Sequence, residues 1–96
     1  MTPNRKVVDD ADMFFGLKNI TNGYSWKIYC KNNEEYYLKD IGSNNYNLIL
    51  SDNYTGKEIE YFQSDNRSYE DGEEMLDLIA TYFDDNSIDI QKISII

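Results

Sequence analysis

Histidine is absent from this 96-residue chain, and cysteine and proline occur once each. Without histidine the chain lacks the commonest general base and the commonest metal ligand. The single cysteine, Cys30, can form no intramolecular disulfide, which fits a reducing compartment. There is no glycine-rich phosphate loop. No stretch approaches the ~18–20 apolar residues of a membrane span. Residues 1–10 contain no apolar run of signal-peptide length, so the expected location is the cytoplasm. Carboxylates are numerous, but no spacing selects a pair for acid–base chemistry. A calcium loop is also excluded. Placing Gly56 at the sixth position of such a loop puts Ser51 first, and placing Gly72 there puts Arg67 first, so both lack the acidic ligand pattern. The expectation is a protein that is not an enzyme and holds no metal or cofactor.

Positive charge is scarce in one half only. Residues 1–50 carry six basic and six acidic residues and are neutral, whereas residues 51–96 carry twelve acidic and three basic ones. The whole net charge of −9 therefore lies in the second half. Such asymmetry speaks to partners and association rather than to fold. It argues against nucleic-acid binding, which needs a basic footprint, and against anionic membrane surfaces. Aromatic residues make up 15% of the chain, nine of them tyrosines. Disordered acidic segments are poor in aromatics, so this acidic chain is expected to fold. Its length suits one domain, 1–96.

From Tyr24 the apolar period is two. Tyr24, Trp26, Ile28 and Cys30 alternate with Ser25, Lys27, Tyr29 and Lys31, as in a half-buried strand. Asn32-Asn33 marks a turn. Tyr36 and Leu38 then define a second strand. A three-residue loop at 32–34 would pair Cys30 with Tyr36 and Ile28 with Leu38. Gly42-Ser43-Asn44-Asn45 is a further turn, and Tyr46, Leu48 and Leu50 form one face of a third strand. After a turn at 51–56, Ile59 and Tyr61 are expected to face inward on a fourth strand, with Glu58, Glu60 and Phe62 on the other side. Ile88, Ile90, Ile93, Ile95 and Ile96 read as a last strand whose alternation breaks near Lys92, where a bulge or an end is expected.

Residues 69–83 carry the helical period. Gly72, Met75, Leu76, Ile79 and Phe83 fall on one arc, and Glu70, Glu73, Glu74, Asp77 and Asp84 on the opposite one. Ser68 or Asp65 can cap the start, and Glu70 and Asp71 suit the first turn. A short helix is expected over 9–19, weakened by Gly16. The fold class is α+β: an antiparallel sheet of four to five strands with one long acidic amphipathic helix packed on it and a short N-terminal helix.

The acidic face is the candidate site. Glu70, Asp71, Glu73, Glu74, Asp77, Asp84 and Asp85 line the long helix, with Tyr69 at its start, and Glu58 and Glu60 add a second row from the sheet. Positions 70 to 84 span roughly 21 Å of helix. That is about one charge every 4 Å, comparable with the phosphate spacing of ~3.4 Å along one DNA strand. Like charges three and four residues apart repel, and no lysine or arginine relieves them within the helix. Tyr29, Tyr37, Tyr54 and Tyr69 are too many for a small core, and exposed tyrosine beside acids suits a surface that docks on arginine and lysine. Against this stands the plain alternative of a solvated helix face that keeps the chain soluble.

In size, in its short antiparallel sheet and in the run Tyr69-Glu70-Asp71-Gly72-Glu73-Glu74-Met75-Leu76-Asp77, the chain resembles the small acidic proteins with which phages block host nucleic-acid enzymes, the anti-CRISPR proteins and other DNA mimics. The run is similar in character to the acidic segment with which type II-A anti-CRISPRs occupy the DNA-facing groove of their Cas effector. The resemblance implies a non-enzymatic inhibitor working in a host bacterial cytoplasm. It also implies that Glu and Asp stand in for phosphate oxygens and pair with Arg or Lys of a basic nuclease. Two other readings stay open. One is an immunity protein or antitoxin for a basic nuclease toxin, using the same electrostatics. The other is a small assembly module using a sheet edge such as Ile93-Ser94-Ile95-Ile96.

Overall fold

Two apolar periods run through the chain, and the computed structural model, which describes residues 11–96, follows both. Period-two stretches form five strands: β1 (Trp26–Cys30), β2 (Glu35–Asp40), β3 (Asn47–Asp52), β4 (Glu58–Gln63) and β5 (Ile90–Ile95). A short helix α1 (Leu17–Thr21) precedes them, and the 17-residue helix α2 (Tyr69–Asp85) lies between β4 and β5. The strand order is β4-β3-β2-β1-β5, with every neighbour antiparallel. β1 to β4 are a meander, and α2 carries the chain back across the sheet so that β5 pairs on the far side of β1. The architecture is the expected α+β sheet with one long helix on it. Trp26, Ile28, Leu38, Leu48, Leu50 and Phe62 from the sheet form one core with Met75, Leu76, Ile79 and Phe83 from α2, and with Ala11, Phe15 and Ile20 from the N-terminal side.

Asn33 sets the register of the first hairpin. The loop is three residues long, as expected, but spans 31–33: the Cys30 N–H donates to the Glu34 carbonyl at 2.9 Å and Asn33 N–H to the Cys30 carbonyl at 3.1 Å. Ile28 therefore pairs with Tyr36 and Trp26 with Leu38, two residues away from the expected register. A three-residue hairpin needs a left-handed residue at its last loop position. Asn33, at φ 68°, supplies it, whereas a loop at 32–34 would have placed Glu34 there. A shift of two keeps the faces, so the apolar sets still point inward.

In β4 the expected faces are reversed. Phe62 is buried, while Ile59 and Tyr61 are 38% and 49% exposed. Phe62 pairs with Leu48 and Tyr61 with Ile49, and the register slips between Leu50 and Ser51, so that Glu60 opposes Leu50 and Glu58 opposes Ser51. The extra residue, Ile59, breaks the alternation that suggested the opposite assignment. The break foreseen near Lys92 is also a bulge: Tyr29 pairs with Lys92 and Cys30 with Ile90, leaving Gln91 extra. Tyr24 precedes β1 and is 43% exposed, and Ile88 lies before β5.

The expected helix over 9–19 is two pieces. Residues 11–14 make one helical turn, and α1 follows; positions 9 and 10 lie outside the described residues. Gly16 separates them at φ 72°, which no continuous helix accommodates. The Leu17 N–H then donates to the Asp12 carboxylate at 3.0 Å. At α2, Ser68 is the cap and accepts from Asp71 N–H at 3.1 Å. Gly72 lets α2 sit close: a Cβ there would stand 2.8 Å from Leu17 Cδ1 and 2.9 Å from the Tyr46 hydroxyl.

Arg67, in the loop before α2, ties these parts together. Its two terminal nitrogens bond the two Asp40 carboxylate oxygens at 2.9 Å each. They also donate to the carbonyls of Ile20, Gly42 and Asn45 at 3.2, 2.9 and 3.0 Å. The guanidinium lies 4.7 Å from the Tyr46 ring centroid. This fork-on-fork pair fixes the end of α1, the end of β2 and the β2–β3 loop against the entry of α2. The hydrogen-bonded Asp40 raises the guanidinium's affinity for its proton.

Candidate acidic interface

Helix α2 keeps its apolar arc on the sheet, and all five residues assigned to that arc are buried. Of the opposite arc, Glu70, Glu73, Glu74 and Asp84 are exposed, as are Tyr69 and Asp85, and Asp71 is half-buried. Asp77 is the exception. It sits at the centre of the arc expected to face solvent, yet is only 8% exposed. A helical wheel places a residue from its own helix alone, and the burial of Asp77 is a tertiary fact that the wheel does not carry. The continuous row of carboxylates is therefore interrupted. Glu70, Asp71, Glu73 and Glu74 form one group at the start of α2, and Asp84 and Asp85 a second at its end. About 15 Å of helix separates Glu74 from Asp84, and Leu78, 39% exposed, lies between them.

The two groups differ physically. Carboxylates in the first turn of a helix face the positive end of its dipole and stabilise it. Glu70 and Asp71 hold those positions. Carboxylates in the last turn face the negative end and cost stability, and α2 has no basic residue there. Asp84 and Asp85 add their charge to that of the unpaired helix carbonyls. Lys31 lines the same shallow groove as Asp84 and Asp89. Among the described residues, however, the ion pairs are Lys27–Glu35 and Arg67–Asp40, and neither reaches α2.

The two sheet carboxylates part company. Glu60 shares the helix side of β4, where burial of the ring and, after it, the Glu60 charge keep the Tyr82 phenol protonated to higher pH than usual. Glu58 lies on the other face, accepting from the Tyr61 hydroxyl at 2.6 Å. That bond raises the Tyr61 pKa. Glu58 therefore does not belong to the helix-side row. The tyrosines divide as well. Tyr69, 65% exposed, stands at the start of α2. Tyr54 is equally exposed, but its hydroxyl is held by Glu35 at 2.5 Å and by the Asn33 carbonyl at 3.0 Å. Tyr29 and Tyr37 lie on the face of the sheet away from α2.

That bare face escaped the sequence reading. β1, β2 and β5 bring Lys27, Lys39 and Lys92 to it. The Tyr29 ring has the Lys27 and Lys92 ammonium groups 5.0 and 5.5 Å from its centroid. Lys27 also pairs with Glu35 at 3.0 Å. The signal was present in the odd positions of β1, but it needed β5 to be placed beside β1. The molecule is thus divided by layer as well as by sequence half: acid without lysine or arginine on the helix, and a mixed surface of lysine, tyrosine and the carboxylates Glu35 and Glu58 on the bare sheet.

Cys30 is 3% exposed, and burial pushes its thiol pKa up, so it is a core residue and a poor nucleophile. The segment Asp52–Gly56 is a turn. The Asp52 carboxylate accepts from Tyr54 N–H at 2.8 Å and Thr55 N–H at 2.9 Å. Those bonds hold its pKa below the usual range. Among the described residues, no group of three His, Cys, Asp or Glu side chains is placed to hold a metal ion, and no helix is long and apolar enough to cross a membrane. Comparison with protein-family models, with curated proteins and with solved structures finds no match to this chain.

Proposed function

We propose that this protein is a non-enzymatic inhibitor that docks the exposed carboxylates of α2 into the basic channel of a nucleic-acid-processing protein, such as a Cas effector, and so competes with nucleic acid. The observation that carries this reading is the pair Asp84 and Asp85. Folding stability explains acids at the start of α2 and disfavours acids at its end. Groups that cost stability and have no ion-pair partner among the described residues are those for which an external partner is the natural account. Tyr69 and the first-turn acids extend the same surface, and Glu60 borders it. Each carboxylate docked against arginine would replace a phosphate oxygen in a charge-assisted hydrogen bond. Asp77 and Glu58 are left out of the interface, the first because it is buried and the second because it lies on the other face.

The test is capture and inhibition. Immobilised protein should retain a Cas effector or basic nuclease at low salt, release it at high salt and lose it to that enzyme's own DNA or RNA. Charge reversal at Glu73 and Glu74 should weaken retention at least tenfold. Retention that persists unchanged after both reversals, or that nucleic acid does not compete, rejects the mimicry.

A further inference from the structure

The two edges of the sheet are built differently. β4 carries Glu58 and Glu60, and the slip between Leu50 and Ser51 disrupts its regular pairing edge. Charge and a bulge are the usual means by which an edge strand is kept from pairing with another chain. β5 has its bulge at Gln91 and is regular from Lys92 onward. It holds no carboxylate between Ile90 and Ile96, and Ile95 and Ile96 are 50% and 59% exposed.

The backbone of this segment has a defined direction. Ile96 N–H donates to the Ser25 carbonyl at 2.8 Å, and Trp26, Lys27 and Ile28 oppose Ile95, Ser94 and Ile93. In an antiparallel pair, hydrogen-bonded and non-hydrogen-bonded positions alternate. The peptide groups of Ser94 and Ile96 therefore face β1, and those of Ile93 and Ile95 face outward. Among the described residues nothing pairs with them, since β5 ends the sheet.

We infer that β5 pairs antiparallel with β5 of a second copy of this chain, joining two sheets across a two-fold axis at Ser94. In that register Ile93 and Ile95 of one copy exchange backbone hydrogen bonds with Ile95 and Ile93 of the other. Ser94 meets its own symmetry mate, and Lys92 opposes Ile96. The alternative centred on Ile93 sets the Gln91 bulge against Ile95 and spoils the ladder. The occupant is a second copy because the segment is complementary to itself, as a two-fold interface requires. Two molecules of net charge −9 repel, and along this edge they meet with no carboxylate opposite another. The contact is narrow, in the class below about 1,200 Å² that gives weak association. Dimerisation is therefore expected at high-micromolar protein, and salt strengthens it by screening the repulsion. This is the opposite salt dependence to that of the acidic face, so either account can fail without the other.

Sedimentation of the full chain across concentration, at low and high salt, tests it. The expected result is a monomer–dimer equilibrium that shifts toward dimer with salt. Ile95→Pro removes an outward N–H that β1 does not use and should weaken the dimer at least tenfold while leaving the fluorescence of the lone tryptophan, Trp26, unchanged. Ser94→Cys should trap a covalent dimer under mild oxidation, because the two substituted positions face each other at a non-hydrogen-bonded pair. A chain that stays monomeric to millimolar concentration at both salts overturns the inference. So does a dimer that Ile95→Pro leaves intact and Ser94→Cys fails to trap.

Discussion

Charge is handled in opposite ways at the Arg67 node and along α2. At the node the Arg67 and Asp40 side chains are 16% and 1% exposed, and every interaction is matched: two carboxylate oxygens, three carbonyls and one ring meet a single guanidinium. Along α2 the exposed carboxylates have no cation on the helix, and those at its end also oppose the dipole. The first arrangement is what a fold needs when it buries charge. At the end of α2 the second is not needed by the fold, because Asp84 and Asp85 cost stability there. The contrast separates charge that holds the molecule together from charge available to something outside it.

The largest expected effect lies at the node. Arg67→Ala leaves Asp40 buried without its partner and should lower unfolding free energy by about 3–5 kcal/mol, read by urea titration of Trp26 fluorescence. Trp26 is fully buried and packs edge-to-face on Phe15 at 5.6 Å, so it reports loss of the core. A loss near zero would mean that the node is no more structural than the helix surface. Next comes Gly72→Ala. Helix propensity alone favours alanine by about 1 kcal/mol. The new methyl would press on Leu17 and Tyr46, and overpacking costs about 1–3 kcal/mol, so a net loss is expected in the same titration.

Neutralising the helix end should act in the other direction. Asp84→Asn and Asp85→Asn should each raise stability by a few tenths to about 1 kcal/mol, seen as a rise in Tm. The smallest effect is in pH dependence. Glu35, held below its usual range by the Tyr54 hydroxyl and by Lys27, and Asp52, held below by the backbone N–H groups of Thr55 and Tyr54, have lowered folded-state pKa values. A lowered pKa contributes stability above the unfolded value, and that contribution disappears as pH falls through the folded one. Both are half-buried and remain in contact with solvent, so the loss below about pH 4 should be shallow. Tyr54→Phe should flatten it further.

The strands and the long helix were legible because their apolar residues keep a local period. Local period also gave the α2 core arc, and the cap, Ser68, was one of two candidates with Asp65. What it missed depended on contacts across the chain or on a single irregular residue. Ile59 and Phe62 are three apart, so one had to face outward, and only the pairing of Phe62 with Leu48 decides which. Asn33 and Glu34 compete for the end of a turn, and tolerance of positive φ, a signal present in the sequence, settles it in favour of Asn33. The partner of Arg67, Asp40, lies 27 residues away, and no spacing rule links them. Asp77 reads as exposed on a wheel and is buried by tertiary packing. The site was thus legible as a helix of acids, but not as two groups with different relations to the dipole.

The most direct test compares stability and partner binding in one variant, Asp84→Asn with Asp85→Asn. The account predicts that Tm rises while salt-sensitive retention and inhibition of the captured nuclease fall at least tenfold. A higher Tm with retention and inhibition unchanged would contradict it, leaving the acids of α2 as a solvated surface.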